Sequence, residues 1–318
     1  MGKNIRIRVF IYLILLTVFH SSFSRAEEIP YLLTAASKGD IETVKAIIES
    51  GGSPNTSDKD SITALMYASR KNQVEIVQYL IDQGAITNKV ERDGWTALMF
   101  AAKKNYTGIV SILLSNGADP KVTDPDGWSA YGLAASSGFH ETINMLIQYG
   151  IDPNTRNNSG LTVLMIACKT GNIPTITILL ENNASINLKD NYGKTALMYA
   201  TINGNIEAAK FLIENASKID DIDKNEWTAL SWAIQKKQYV IAKVLIEGGA
   251  DINHKDNEGT SLIHYAIFSR SEKIIKLFID AGANLKTKDQ YGLTPLVYAL
   301  KSKNKIIINM IKSAGGRY

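Results

Sequence analysis

Thr63-Ala64-Leu65-Met66, Thr96-Ala97-Leu98-Met99, Thr162-Val163-Leu164-Met165, Thr195-Ala196-Leu197-Met198 and Thr294-Pro295-Leu296-Val297 share one register, and an alanine follows each two residues on. The alanine column is longer than these runs. Ala35, Ala68, Ala101, Ala134, Ala167, Ala200, Ala233, Ala266 and Ala299 stand 33 residues apart with no insertion or deletion. A fixed period of about 20 to 50 residues marks a solenoid, whose units bury their apolar faces only by stacking on their neighbours. A small residue once per unit lets adjacent helices approach to about 8–10 Å.

The flanking columns supply the punctuation. Gly94, Gly127, Gly160, Gly193, Gly259 and Gly292 precede the Thr or Ser column by two residues, which suits a tip that needs positive φ. The Thr or Ser then caps a short helix. Four residues after the alanine, Gly39, Asn72, Asn105, Gly138, Gly171 and Gly204 stop it. A second amphipathic run follows, as in Ile41-Glu42-Thr43-Val44-Lys45-Ala46-Ile47-Ile48, with paired aliphatics such as Leu80-Ile81 and Leu245-Ile246. It ends at Gly51, Gly84, Gly117, Gly150, Gly249, Gly282 and Gly315.

Turn, short helix, turn, longer helix at this period resembles the ankyrin repeat, with Gly249-Ala250-Asp251-Ile252-Asn253 as a second matching motif. The resemblance spans residues 29–318. It implies an all-α solenoid of helix-turn-helix units with β-hairpin-like loops, nine repeats including caps, in one domain over residues 27–318. Lys312, in place of an aliphatic, suits a solvated last repeat. The family's histidine is replaced by Met66, Met99, Met165 and Met198, and only His264, with Ser261, keeps the usual pair. Elsewhere thioether packing is expected to replace that hydrogen bond.

Residues 1–26 read as a secretory signal peptide. Lys3, Arg6 and Arg8 form a basic start, Val9 to Phe19 is apolar, and Ser24-Arg25-Ala26 offers a cleavage site. The competing reading, an uncleaved anchor, requires His20, Ser21 and Ser22 in the bilayer, because the apolar run alone is too short to span it. Cleavage after Ala26 removes four of the 35 cations and no acid, leaving 31 against 31. The expected product is exported, periplasmic in a bacterium or else secreted, with no membrane attachment after cleavage. The lone Cys168 gives no disulfide and adjoins the alanine column, where it packs as a small apolar residue.

No catalytic constellation is present. His20, His140, His254 and His264 occupy different columns, the glycines are explained by turns, and the methionines are assigned to the inter-repeat core and not to copper. No enzyme activity, cofactor, metal or small-molecule substrate is expected. The informative residues are variable ones. Trp95, Trp128 and Trp227 stand six before the alanine, and cations fill positions after it and at the tips. These columns hold 16 cations, including Lys194, against Asp60, Asp93, Asp126 and Glu258.

The resemblance places partner contacts on the tips and the exposed side of the first helix. The expected partner-binding set is Arg70, Lys71, Arg92, Trp95, Lys103, Lys104, Trp128, Tyr192, Lys194 and Trp227. Exposed Trp and Arg are favoured at protein hot spots. The expected function is a monomeric, non-catalytic scaffold that binds an acidic protein surface on a basic concave face, with the tryptophans projecting from the solenoid. Two alternatives are a secreted host-directed effector and a polyanion-binding module; the charge balance of the mature chain and its export argue against nucleic acid. Ala216, Glu226 and Lys237 stand where other repeats use Gly or Asn, so the joint at 215–240 is expected to be the weakest.

Overall fold

The computed structural model describes residues 30–318, and the expected signal peptide lies outside the described residues. Eighteen α-helices alternate between two layers among the described residues. The first helices are α1 (Tyr31–Lys38), α3 (Ala64–Arg70), α5 (Ala97–Ala102), α7 (Ala130–Ser137), α9 (Val163–Thr170), α11 (Ala196–Ile202), α13 (Ala229–Gln235), α15 (Leu262–Phe268) and α17 (Pro295–Lys301). Each is followed by an antiparallel partner: α2 (Ile41–Glu49), α4 (Val74–Asp82), α6 (Thr107–Ser115), α8 (His140–Gln148), α10 (Ile173–Glu181), α12 (Ile206–Glu214), α14 (Tyr239–Glu247), α16 (Glu272–Asp280) and α18 (Lys305–Ser313). First helices pack on first helices and second on second. Every alanine of the column is buried at that seam.

The tips between units are turns. The described residues contain no strand, and the hairpin-like character is limited to isolated antiparallel bridges of Ser57 with Thr63, Arg156 with Thr162 and Lys255 with Ser261. A cross-repeat clamp holds successive tips. Asn55 donates through Nδ2 to the Gly84 carbonyl (3.1 Å) and accepts the Ile86 N–H (2.8 Å). Asn88 repeats both bonds with Gly117 and Asp119. This explains why Asn closes the Gly-Ala-Asp-x-Asn motif: its amide is both donor and acceptor.

Threonine caps as expected, with Thr63, Thr96, Thr162, Thr195 and Thr228 accepting the N–H three residues on through Oγ1. Packing does not simply replace the missing histidine, however. The sulfurs of Met66, Met99 and Met165 accept the N–H groups of Thr63, Thr96 and Thr162 at 3.4, 3.5 and 3.5 Å. A methionine at this position reaches back to the cap, and its weak acceptor satisfies a buried donor. Ser261 and His264 keep the usual pair, Oγ to Nδ1 at 2.8 Å, and burial holds the His264 pKa down.

The helix-stop glycines and asparagines all have positive φ. Ala216, Glu226 and Lys237 are forced there too, at +63°, +58° and +55°. Ser61 at +65°, Arg270 at +56° and Lys303 at +59° extend this class beyond the 215–240 joint. Cys168 is fully buried, which raises its thiol pKa and keeps it protonated.

Candidate interaction surface

Each tip is organised around one acceptor side chain. Asp190 accepts the N–H groups of Tyr192 and Lys194 through Oδ1, both at 2.8 Å, and the Tyr199 hydroxyl through Oδ2 at 2.7 Å. Asp58 does the same with Asp60, Ile62 and Tyr67. Asp223 takes the Trp232 indole N–H at 3.0 Å, and Asp256 and Asp289 take the hydroxyls of Tyr265 and Tyr298. The ring one residue before the alanine is thereby tied to its own tip. Burial, then the bond to Asp256, raises the Tyr265 pKa; the bond to Asp289 pushes Tyr298 up to about 12.

Rings at this position, anchored or not, support Trp95 and Trp227. Trp95 lies 5.1 Å from Phe100 between ring centroids, and Trp227 lies 5.0 Å from Trp232 and 5.4 Å from Tyr265. The series continues through Tyr265 to Phe268 (6.0 Å) and Phe268 to Tyr298 (4.9 Å). Cations sit on several of these rings. Lys194 Nζ is 5.2 Å from the Tyr192 centroid and 5.1 Å from Trp232, while Lys301 Nζ is 5.1 Å from Tyr298.

The ten expected binding residues fall into separate groups. Arg70 and Trp95 border one shallow pocket with Ile62, Glu91, Asp93 and Phe100. Arg92 pairs with Asp60 at 3.3 Å, and Lys103 donates to Ser136 at 2.9 Å, while Lys71 and Lys104 are exposed. Tyr192, Lys194 and Trp227 belong to the second aromatic group, where Tyr192 is 62% exposed.

The expected projection of the tryptophans is corrected, since Trp95, Trp128 and Trp227 are all half-buried. Gly132 replaces the methionine of its column, and the Trp128 ring fills the space: a Cβ at Gly132 would stand 2.2 Å from Trp128 Cε3. Several tip cations are also committed within the fold. Arg156 donates to the Lys189 carbonyl (2.7 Å), Lys189 to the Ile222 carbonyl (2.8 Å), and Lys255 to the Lys288 carbonyl (3.1 Å). Each such bond crosses 33 residues, so it staples consecutive tips.

Sequence reasoning missed Trp232, Tyr265 and Tyr298, together with Phe268, which lies outside any aromatic column. The available signal was a second aromatic column, Tyr67, Phe100, Tyr199, Trp232, Tyr265 and Tyr298, at the same 33-residue period. Among the described residues no group of His, Cys, Asp or Glu is placed to hold a metal ion, and no helix is long and apolar enough to cross a membrane.

A family signature described as Ankyrin repeats (3 copies) matches residues 32–124, 110–190, 183–256 and 248–316. No curated protein matches the chain.

Proposed function

Because the chain belongs to the ankyrin-repeat family, whose repeats typically mediate protein–protein contact, we propose that it is a non-catalytic scaffold of nine repeats. It binds a protein partner with an acidic surface through the face that carries the tips and first helices, the concave face of such a solenoid. The observation that carries this reading is Lys194, whose ammonium lies on both Tyr192 and Trp232 beside the exposed Tyr192 ring. Cations held on aromatic rings give a surface that is apolar and positive at once, which suits a carboxylate flanked by apolar groups.

The scaffold acts as a monomer outside the cytoplasm, in the periplasm or beyond it, after cleavage behind Ala26. Support comes from the basic start, the apolar run and the small residues at the cleavage site. N-terminal sequencing should find Glu27 first; a membrane-bound product beginning at Met1 overturns the export reading.

The binding reading is tested by affinity capture from an extract of the producing cell, with wild type and a Lys104→Glu, Lys194→Glu variant side by side. A protein enriched by wild type and lost on charge reversal is expected. Capture that ignores the reversal, or retention of nucleic acid alone, overturns it.

A further inference from the structure

Three cations occupy a backbone conformation that L-residues enter at a cost. Lys237, Arg270 and Lys303 have φ of +55°, +56° and +59° two residues past the end of the first helix in three consecutive repeats. The six preceding repeats place Gly39, Asn72, Asn105, Gly138, Gly171 and Gly204 there, residues that enter the left-handed region readily. A helix dipole favours a cation after every first helix equally, so it does not account for a change confined to three of them. All three side chains are exposed, and none makes an ion pair or hydrogen bond among the described residues.

The same three repeats carry the continuous ring series. Trp227 and Trp232 stand in the first, Tyr265 and Phe268 in the second, and Tyr298 in the third, each in contact with the next group. Phe268 is 48% exposed, and it borders a shallow pocket with Arg270, Tyr298 and Lys301. The nearby carboxylates of Asp223, Asp256 and Asp289 are engaged as acceptors from Trp232, Tyr265 and Tyr298. The strip therefore offers apolar rings with the uncommitted Arg270 at their edge, and Lys237 and Lys303 hold the equivalent position in the flanking repeats.

We propose that this strip docks an extended acidic segment of a partner protein, with a carboxylate at about every third residue and apolar side chains between; this rests on the protein-binding reading above. The spacing follows from geometry. Helices of adjacent repeats lie about 8–10 Å apart, and an extended chain in the polyproline II conformation advances about 3.1 Å per residue with three residues per turn, so every third side chain returns to the same face. A single-stranded nucleic acid carries charge far more densely, roughly one per 3.4 Å along a strand in the duplex, so most of its phosphates would have no cation opposite them.

The test uses fluorescent peptides of about 12 residues, with glutamate at every second, third or fourth position and leucine or serine elsewhere. A lysine counterpart and an oligothymidylate complete the set. The peptide with glutamate at every third position binds tightest. Replacing Lys237, Arg270 and Lys303 together by glycine weakens it about tenfold or more while the melting temperature holds or rises, because glycine relieves the strain. Phe268→Ala weakens it as well. Unchanged affinity in the glycine variant, no peptide binding, or equal binding of the oligothymidylate overturns the proposal. A captured partner fully retained by the glycine variant overturns the strip and leaves protein binding standing.

Discussion

Tyr199 donates its hydroxyl to Asp190 at 2.7 Å across nine residues, so the first helix of that repeat holds the tip that precedes it. Asp190 is only 6% exposed and accepts two backbone N–H groups as well. Tyr199→Phe removes a hydrogen bond to a buried carboxylate and should cost about 1.5–3 kcal/mol. Asp190→Ala frees two further donors and should cost more. A double-mutant cycle by urea unfolding should return a coupling energy; strict additivity would show that the bond contributes nothing.

Tyr298 provides a pH handle. Its pKa rises from 10.0 to about 12 in the folded protein, chiefly through the bond to Asp289. A raised folded value contributes stability that is complete below pH 10.0 and disappears as pH climbs through about 12. Urea midpoints measured from pH 9 upward should therefore fall across this window, and Tyr298→Phe should flatten part of that fall. An identical slope in the variant would contradict the assignment.

Trp128 and Gly132 form a size-compensated pair. Gly132→Ala alone puts a methyl group into the indole and should destabilise by about 1–3 kcal/mol. Combining it with Trp128→Leu should recover part of that loss, because the obstructing ring is gone. A thermal melt of the double variant below both singles would refute the compensation.

Met99→Leu keeps an apolar side chain of similar size but deletes the acceptor for the Thr96 N–H. The buried donor left behind should cost about 1 kcal/mol or more, and the Thr96 amide should exchange faster with solvent. Exchange at the wild-type rate would mean that the sulfur only fills space.

Local opening should concentrate from Ala216 toward the C-terminus, because Ala216, Glu226, Lys237, Arg270 and Lys303 all hold positive φ without glycine. Each costs of order 1 kcal/mol, and a solenoid adds such terms locally. Hydrogen exchange should show residues 215–303 less protected than 95–200, and Ala216→Gly should restore protection near its own turn. Uniform protection along both stretches would remove the argument.

The alanine column, the Thr caps and the helix-stop Gly and Asn residues were legible in the linear sequence because each is a local requirement repeated at one period. A small residue at a seam, a hydroxyl at a helix start and a residue able to take positive φ are needed whatever the neighbours are, so Ala101, Thr96 and Gly94 declare their roles alone. The chain alone thus determined an α-helical solenoid and the columns on its surface. Tertiary structure decided which surface residues are free. Arg156 and Lys255 look like Lys237 and Arg270 in sequence, but the side chains of the first two reach carbonyls 33 residues away and those of the latter two make no ion pair or hydrogen bond among the described residues. Likewise Trp128 serves the gap left by Gly132, while Trp227 joins a series of rings from three repeats. Such outcomes depend on pairs of side chains brought together by stacking, and a column read one position at a time carries no record of the partner.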